Sequence, residues 1–228
     1  EMCIRDSLTP RKFMPALTAL LKEMGVKFHW NTTVYGWRAE AGRVAAVQTT
    51  AGDLIADEYV LAGGSWSPGL VNGLGLRLPM QPGKGYSLTL ERPRFQVTKS
   101  ILLTERRVAV TPMGDQLRFG GTMELSGHSD NVRPERIAQI IAAARFYFPD
   151  FTDADFAGIK PWFGCRPVSP DGLPYIGRFR SHQNLTAACG HAMLGVTMAP
   201  STGALVADLL TGRKPSIPLR LLNPDRYA

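Results

Sequence analysis

The sequence predicts an α/β (α+β) fold in which an antiparallel sheet is inserted between two stretches of mixed helix and strand. Three observations carry this expectation. The short apolar run Tyr59-Val60-Leu61-Ala62 ends in Gly63-Gly64, the pattern of a parallel strand buried on both faces. The middle of the chain alternates strand patterns with tight turns and one helix. After the turn Ser169-Pro170-Asp171-Gly172, a strand, a glycine loop and a long helix follow.

From the start of the chain, Thr9 can cap a helix that has Pro10 at its first position. Phe13, Leu17, Leu20, Leu21 and Met24 recur at helical spacing, and Gly25 ends the run. Val26 to Trp30 reads as a strand. Val34 to Gly52 reads as a small meander with turns at Ala41-Gly42 and Ala51-Gly52-Asp53. The strand Tyr59 to Ala62 leads into a tight turn through Pro68.

In the middle stretch, Gly85 to Leu90, Arg106 to Thr111 and Gln116 to Leu125 read as strands, with Met113-Gly114-Asp115 as a turn. Arg136 to Phe148 carries an apolar stripe of Ile137, Ile140, Ile141, Ala144 and Phe148, and Pro149 stops it. In the last stretch, Leu185 to Ala188 is a strand and Gly190 to Gly195 a loop. A helix then runs to Leu210 and closes at Gly212.

Composition narrows the function classes. The 228 residues are 44% hydrophobic and 20% charged, as in a soluble globular protein with a real core. The net charge of +7 favours anionic partners, but the basic residues are scattered, so no nucleic-acid face is expected. No apolar run approaches the ~20 residues of a membrane span, and no leader pattern is visible. Cys3, Cys165 and Cys189 form no C-x-x-C pair, which fits a reducing compartment such as the cytoplasm. The four histidines are dispersed, and no metal site is expected.

Three constellations could carry chemistry. Gly190-His191-Ala192-Met193-Leu194-Gly195 enters the last helix, where Gly195, Ala199, Gly203 and Ala207 form a small-residue stripe. The N–H groups at such a helix start stabilise anionic groups, or the stripe serves plain helix–sheet packing. The turn after Leu61 permits close backbone approach to a ligand, or is simply tight. Arg166, held extended by Pro167, is either a structural ion-pair partner or a bidentate carboxylate clamp.

Together, five segments in order resemble the D-amino acid oxidase-like flavoenzymes, most closely their D-amino acid dehydrogenase branch. They are Leu61 to Ser67, Leu78 to Ser87, Leu117 to Glu124, Trp162 to Gly177, and Gly190 through Gly203. The resemblance implies a partial FAD-binding Rossmann-like domain (1–78 and 163–228) with an inserted antiparallel substrate-binding domain (79–162). It implies that Arg166 holds a substrate carboxylate, with Tyr86 and Trp162 either lining the side-chain pocket or serving as core aromatics. Cofactor contacts fall to Val34, Ala62, Gly63, Gly64 and Trp66, and to Gly190, Met193, Leu194, Gly195, Val196 and Thr197. His191 is given a structural role.

The implied reaction is oxidation of a D-amino acid at Cα, with hydride passing to flavin N5 and hydrolysis to a keto acid and ammonia. A quinone or electron-transfer protein is the implied acceptor, with peripheral contact at the inner membrane. The family's G-x-G-x-x-G unit is absent, and Glu1 to Ser7 does not resemble a natural beginning. The chain is therefore expected to lack roughly the first two-fifths of the enzyme and to be inactive alone. Ala109 stands where glycine oxidases carry a substrate-binding tyrosine, which favours the dehydrogenase branch. The rivals are a glycine-, sarcosine- or hydroxyproline-type oxidase and a catalytically silent fragment.

Overall fold

A computed structural model describes residues 9–228. Cys3 and the reading of Glu1 to Ser7 lie outside the described residues. The chain forms two compact units. One holds residues 9–29 and Lys84–Gly164, the other Trp30–Gly83 and Cys165–Ala228.

In chain order, helix α1 (Pro10–Glu23) precedes strands β1 (Val34–Glu40), β2 (Arg43–Thr49), β3 (Gly52–Leu54) and β4 (Tyr59–Leu61). A single 3-10 turn, Gly64–Trp66, leads into α2 (Ser67–Asn72). Strands β5 (Gln81–Leu90), β6 (Ile101–Leu103), β7 (Val108–Met113) and β8 (Gln116–Leu125) come next, then α3 (Pro134–Tyr147) and α4 (Asp153–Phe156). The chain ends with β9 (Trp162–Val168), β10 (Tyr175–Arg178), β11 (Leu185–Cys189), α5 (Gly195–Leu210) and a 3-10 turn at Arg220–Leu222. Three sheets result, ordered β1-β2-β3, β10-β11-β4 and β6-β7-β8-β5-β9.

The turn chemistry accounts for the hairpins. Glu40 pairs with Arg43 across Ala41 (φ 48°) and Gly42 (φ 74°), the two positive φ values of a two-residue hairpin loop. Met113 pairs with Gln116 across Gly114 (φ 66°) and Asp115.

In the first unit, Tyr86, Leu88 and Leu90 of β5 and Leu117 and Phe119 of β8 share one sheet face and pack on Ile140 and Ala144 of α3. Phe119 meets the rings of Phe148, Phe151 and Phe156 at centroid distances of 6.2, 5.7 and 5.6 Å, which fixes how the helical layer sits on the sheet. Lys84 is fully buried. Its ammonium donates to the carbonyls of Ser129 and Asn131 and lies 4.4 Å from the Phe163 ring centroid.

In the second unit, Tyr59, Leu61, Val71, Leu185 and Ala187 share a core with Val44 of the meander. The Asn184 side chain joins the two sheets. Its amide oxygen accepts from Val44 N–H at 2.8 Å, and its NH₂ donates to the carbonyls of Val44 and Asp57.

Three local expectations are corrected, and one apolar stripe is left uncovered. Residues 26–30 form no strand; the Val26 N–H instead turns back to the Leu21 carbonyl of α1 at 2.9 Å. The apolar stripe of α1 is not buried: no residue of that helix is, and Met24 is 70% exposed. Val60 is exposed between buried Tyr59 and Leu61, so β4 is covered on one face only. The strand read from Arg106 starts instead at Val108, because Arg107 takes a left-handed turn conformation (φ 52°). The sequence pattern gives no sign of α2, β6, α4, β9 or β10.

Candidate functional site

The site is built on two neighbouring parallel strands of the second unit. Leu185, Thr186 and Ala187 of β11 stand beside Tyr59, Val60 and Leu61 of β4. Parallel alignment sends both carboxyl ends to one edge, where open α/β sheets bind ligands. Beyond β4 come Ala62, Gly63 and the Gly64–Trp66 turn; beyond β11 come Gly190 to Leu194 and then α5. Two segments that the sequence supplied separately, about 130 residues apart by count along a chain that a compact fold must bring together, thus meet at one sheet edge.

Backbone geometry explains the glycines that matter. Gly64 has φ 55°, and a Cβ there would meet nothing within 4 Å. Gly190 has φ 84°, and a Cβ there would lie 3.0 Å from the Tyr175 ring. That ring is fully buried, and its hydroxyl donates to the Pro79 carbonyl at 2.5 Å. Burial pushes the Tyr175 phenol up to about 12. Tyr175 is thus a supporting residue that sequence reading missed, since no local pattern pairs it with Gly190. Cys189 is likewise buried at the end of β11, and burial raises its thiol to about 11.

The start of α5 is left open. Its N-cap, Leu194, makes no side-chain capping bond, so the first-turn N–H groups have no such acceptor. Met193, Leu194, Val196 and Trp66 are all exposed apolar side chains around these loops. The small-residue stripe of Gly195, Ala199, Gly203 and Ala207 lies on the uncovered side of the helix, apart from half-buried Gly195. A Cβ on Gly203 would meet nothing within 4 Å. This is a cradle of backbone and small side chains at a positive helix end, suited to a flat anionic group. The chemistry of FAD fits it.

The end of β9 is fastened to the same loop. The Ala192 N–H donates to the Pro167 carbonyl at 2.9 Å, and Val168 forms an antiparallel bridge with His191. Arg166 is thereby placed one residue from the loop that precedes α5. Its guanidinium is half-buried, and burial holds its pKa below the ordinary arginine value. His191 Nε2 lies 2.9 Å from Thr202 Oγ1, tying the loop down onto α5, and burial lowers its pKa.

Three further candidates lie on other elements of the fold. Val34 begins β1 on the separate meander sheet. Tyr86 is a core aromatic of the first unit, 1% exposed, whose hydroxyl donates to Glu124 at 3.2 Å. Trp162 opens β9 in that unit and is exposed; its ring covers Gly164, where a Cβ would fall 2.5 Å from Cη2.

Residues 5–209 match the family model described as FAD dependent oxidoreductase (DAO). The chain is 43% identical over 218 residues to a D-amino acid dehydrogenase of Methylobacterium nodulans, covering 94% of this chain and 51% of that protein. It is 40% identical over 224 residues to a D-amino acid dehydrogenase of Paramagnetospirillum magneticum, covering 97% and 52%. The chain thus spans about half the length of these curated relatives. Its structure is similar to that of glycine oxidase from Geobacillus kaustophilus, with a TM-score of 0.83 at 25% identity, over 94% of this chain and 57% of that one. L-proline dehydrogenase from P. horikoshii shares the fold at a TM-score of 0.82 and 22% identity, over 96% and 59%.

Proposed function

The chain belongs to the DAO family of FAD dependent oxidoreductases, and from that premise we propose that it carries part of the flavin site and the substrate-carboxylate clamp of a D-amino acid dehydrogenase. The observation that carries this reading is the Ala192–Pro167 bond, which holds Arg166 beside the loop entering α5.

Bound FAD supplies a two-electron acceptor for oxidation at the substrate Cα. The residues of this chain do the rest. Arg166 takes the substrate carboxylate through two parallel N–H···O bonds, which fixes both position and orientation. The open N–H groups and dipole of α5 favour negative charge gathering beside them. Gly63, Gly64 and Gly195 keep side chains out of the approach, while Trp66, Met193 and Leu194 cover the ligand and exclude water. His191 is committed to Thr202 and holds the loop in place. An uncharged substrate amine needs no side-chain base for this oxidation, and none is assigned.

Electrons then pass to a quinone or an electron-transfer protein, with contact at a membrane surface. No helix among the described residues is long and apolar enough to cross a membrane.

An anaerobic absorbance titration of the natural full-length protein tests this reading. Flavin bands that bleach with D-amino acids but not with their L-enantiomers are expected. A protein without flavin, or a flavin that no D-amino acid bleaches, would contradict it. Stoichiometric hydrogen peroxide in air would assign the oxidase chemistry of the rival reading instead.

A further inference from the structure

We propose that the open face of the substrate-domain sheet carries a recognition site for a carboxylate of a small organic acid, centred on Arg118 and Ser87. The site lies wholly in the first unit. Side chains alternate across β5 and β8, so Tyr86, Leu88, Leu117 and Phe119 enter the core while Ser87, Thr89 and Arg118 occupy the other face. Two observations fix the register on that face. Arg118 Nε donates to Thr89 Oγ1 at 3.3 Å, and a Cβ at Gly120 would stand 3.9 Å from Ser87 Cβ.

This face lines a cavity of about 690 Å³. That volume is within the range of small-molecule sites, which is roughly 300–1,000 Å³. Three of the charged side chains around it are cationic, Arg11, Arg118 and Lys160, against one carboxylate, Glu91. Glu91 already accepts from Gln116 Nε2.

Arg118 is half-buried, unlike the exposed Arg11, Arg92, Arg106 and Arg107 of the same unit. Arg94, Arg133, Arg136 and Arg145 of the same unit each pair with an aspartate or glutamate. Arg118 pairs with none among the described residues, and its one hydrogen bond is to a neutral hydroxyl. Burial, and then repulsion from Arg11, push its pKa below the ordinary arginine value, so its charge lacks compensation. Ser87 adds a second unmet demand. Its hydroxyl is buried and has no hydrogen-bond partner. A buried polar group left unsatisfied is costly, as is a desolvated cation without an anion. One carboxylate would answer both, accepting from the guanidinium and from the hydroxyl. The exposed Trp162 ring and Ile159 offer the cavity an apolar wall for a short carbon chain.

The carboxylate has two candidate sources: the side chain of an acidic substrate, which rests on the D-amino acid reading above, or a separate organic acid. Calorimetric titration with glutarate at low salt tests the site itself. It is run on the natural full-length protein in an Arg166→Ala background, which removes the other arginine proposed to bind carboxylates. Saturable binding is expected, weakened about tenfold or more by Arg118→Met and less by Ser87→Ala, since losing a charged partner costs more than losing a neutral one. Absence of saturable binding, or equal binding by all three proteins, would overturn the proposal. With Arg166 restored, the ratio of kcat/KM for D-glutamate to that for D-alanine identifies the source. A ratio that falls with Arg118→Met assigns the carboxylate to the substrate. An unchanged ratio alongside lost glutarate binding assigns it to a separate acid. If the D-amino acid reading itself fails, neither substrate turns over, while the glutarate titration still reports on the site.

Discussion

The backbone N–H of Ala192 donates to the carbonyl of Pro167 at 2.9 Å, joining the strand that carries Arg166 to the loop that opens α5. The bridge between Val168 and His191 continues this contact, and His191 in turn reaches Thr202 on α5. A residue proposed to hold the substrate and a helix end proposed to support the flavin are therefore held by one short run of backbone. Changes to the loop should disturb both.

Gly190 is the tightest point of that loop. Its φ of 84° disfavours any residue with a Cβ, and an added Cβ would press on the Tyr175 ring at 3.0 Å. Left-handed backbone and overpacking together predict that Gly190→Ala costs about 2 kcal/mol. The melting temperature should fall by roughly 4–8 °C for a protein of this size. An unchanged melting curve would show that the loop relaxes freely around Tyr175.

Gly195 separates steric from electrostatic roles at the helix start. A Cβ there would lie 3.5 Å from His191 Cβ, an ordinary contact. Gly195→Ala should therefore fold normally and retain flavin, whereas Gly195→Leu should deplete it by filling the approach. Flavin-to-protein absorbance ratios of the two purified full-length variants check this. Full flavin in the leucine variant would remove this loop from the cofactor site.

Much of this architecture was legible locally. The hairpin at Ala41-Gly42, the Met113–Asp115 turn, the last helix and its closure at Gly212 all follow from turn chemistry and apolar period. Strand β9 was not legible, because Trp162-Phe163-Gly164-Cys165-Arg166-Pro167-Val168 combines a glycine and a proline that usually break strands. Its pairing partners decide its state, and these are far away in sequence. For the same reason the pattern that flagged Arg166 could not reveal its fastening to Ala192, nor could it reveal Tyr175 behind Gly190. Tyr86 shows the converse limit: an aromatic in a matching segment carries no sign of which sheet face it occupies. The apolar stripe of α1 marks a helix, but a stripe does not say what covers it.

The C-terminal segment is anchored by Arg226, which makes two 2.9 Å bonds to the Asp171 carboxylate, bonds the carbonyls of Leu173 and Pro174, and stacks 3.9 Å from the Tyr175 ring centroid. Hydrogen bonding from Arg226 holds the Asp171 carboxyl well below the usual carboxylate range. The folded value lies below the unfolded one near 4, so this stabilisation is complete above that pH and drains as pH falls towards the folded value. Arg226→Met should therefore cost about 2 kcal/mol at neutral pH. The deficit should narrow as the pH falls below about 4, where the wild type loses the same contribution. Denaturant midpoints of both proteins from pH 7 down to pH 3 check this; a deficit independent of pH would place Arg226's role in packing alone.

The most direct test of the account is kcat/KM for a D-amino acid, measured with melting temperature and flavin content on full-length wild type, Arg166→Ala and Arg166→Lys. Removing one partner of a desolvated charge pair costs roughly 2–5 kcal/mol. The alanine variant should therefore lose about 1.5–3.5 decades of kcat/KM, at 1.4 kcal/mol per tenfold. The lysine variant, which keeps the charge but not the fork, should lose less and still much. Flavin content and melting temperature should stay near wild type. Near-normal turnover in Arg166→Ala, or a collapse of stability with specific activity intact, would contradict the clamp.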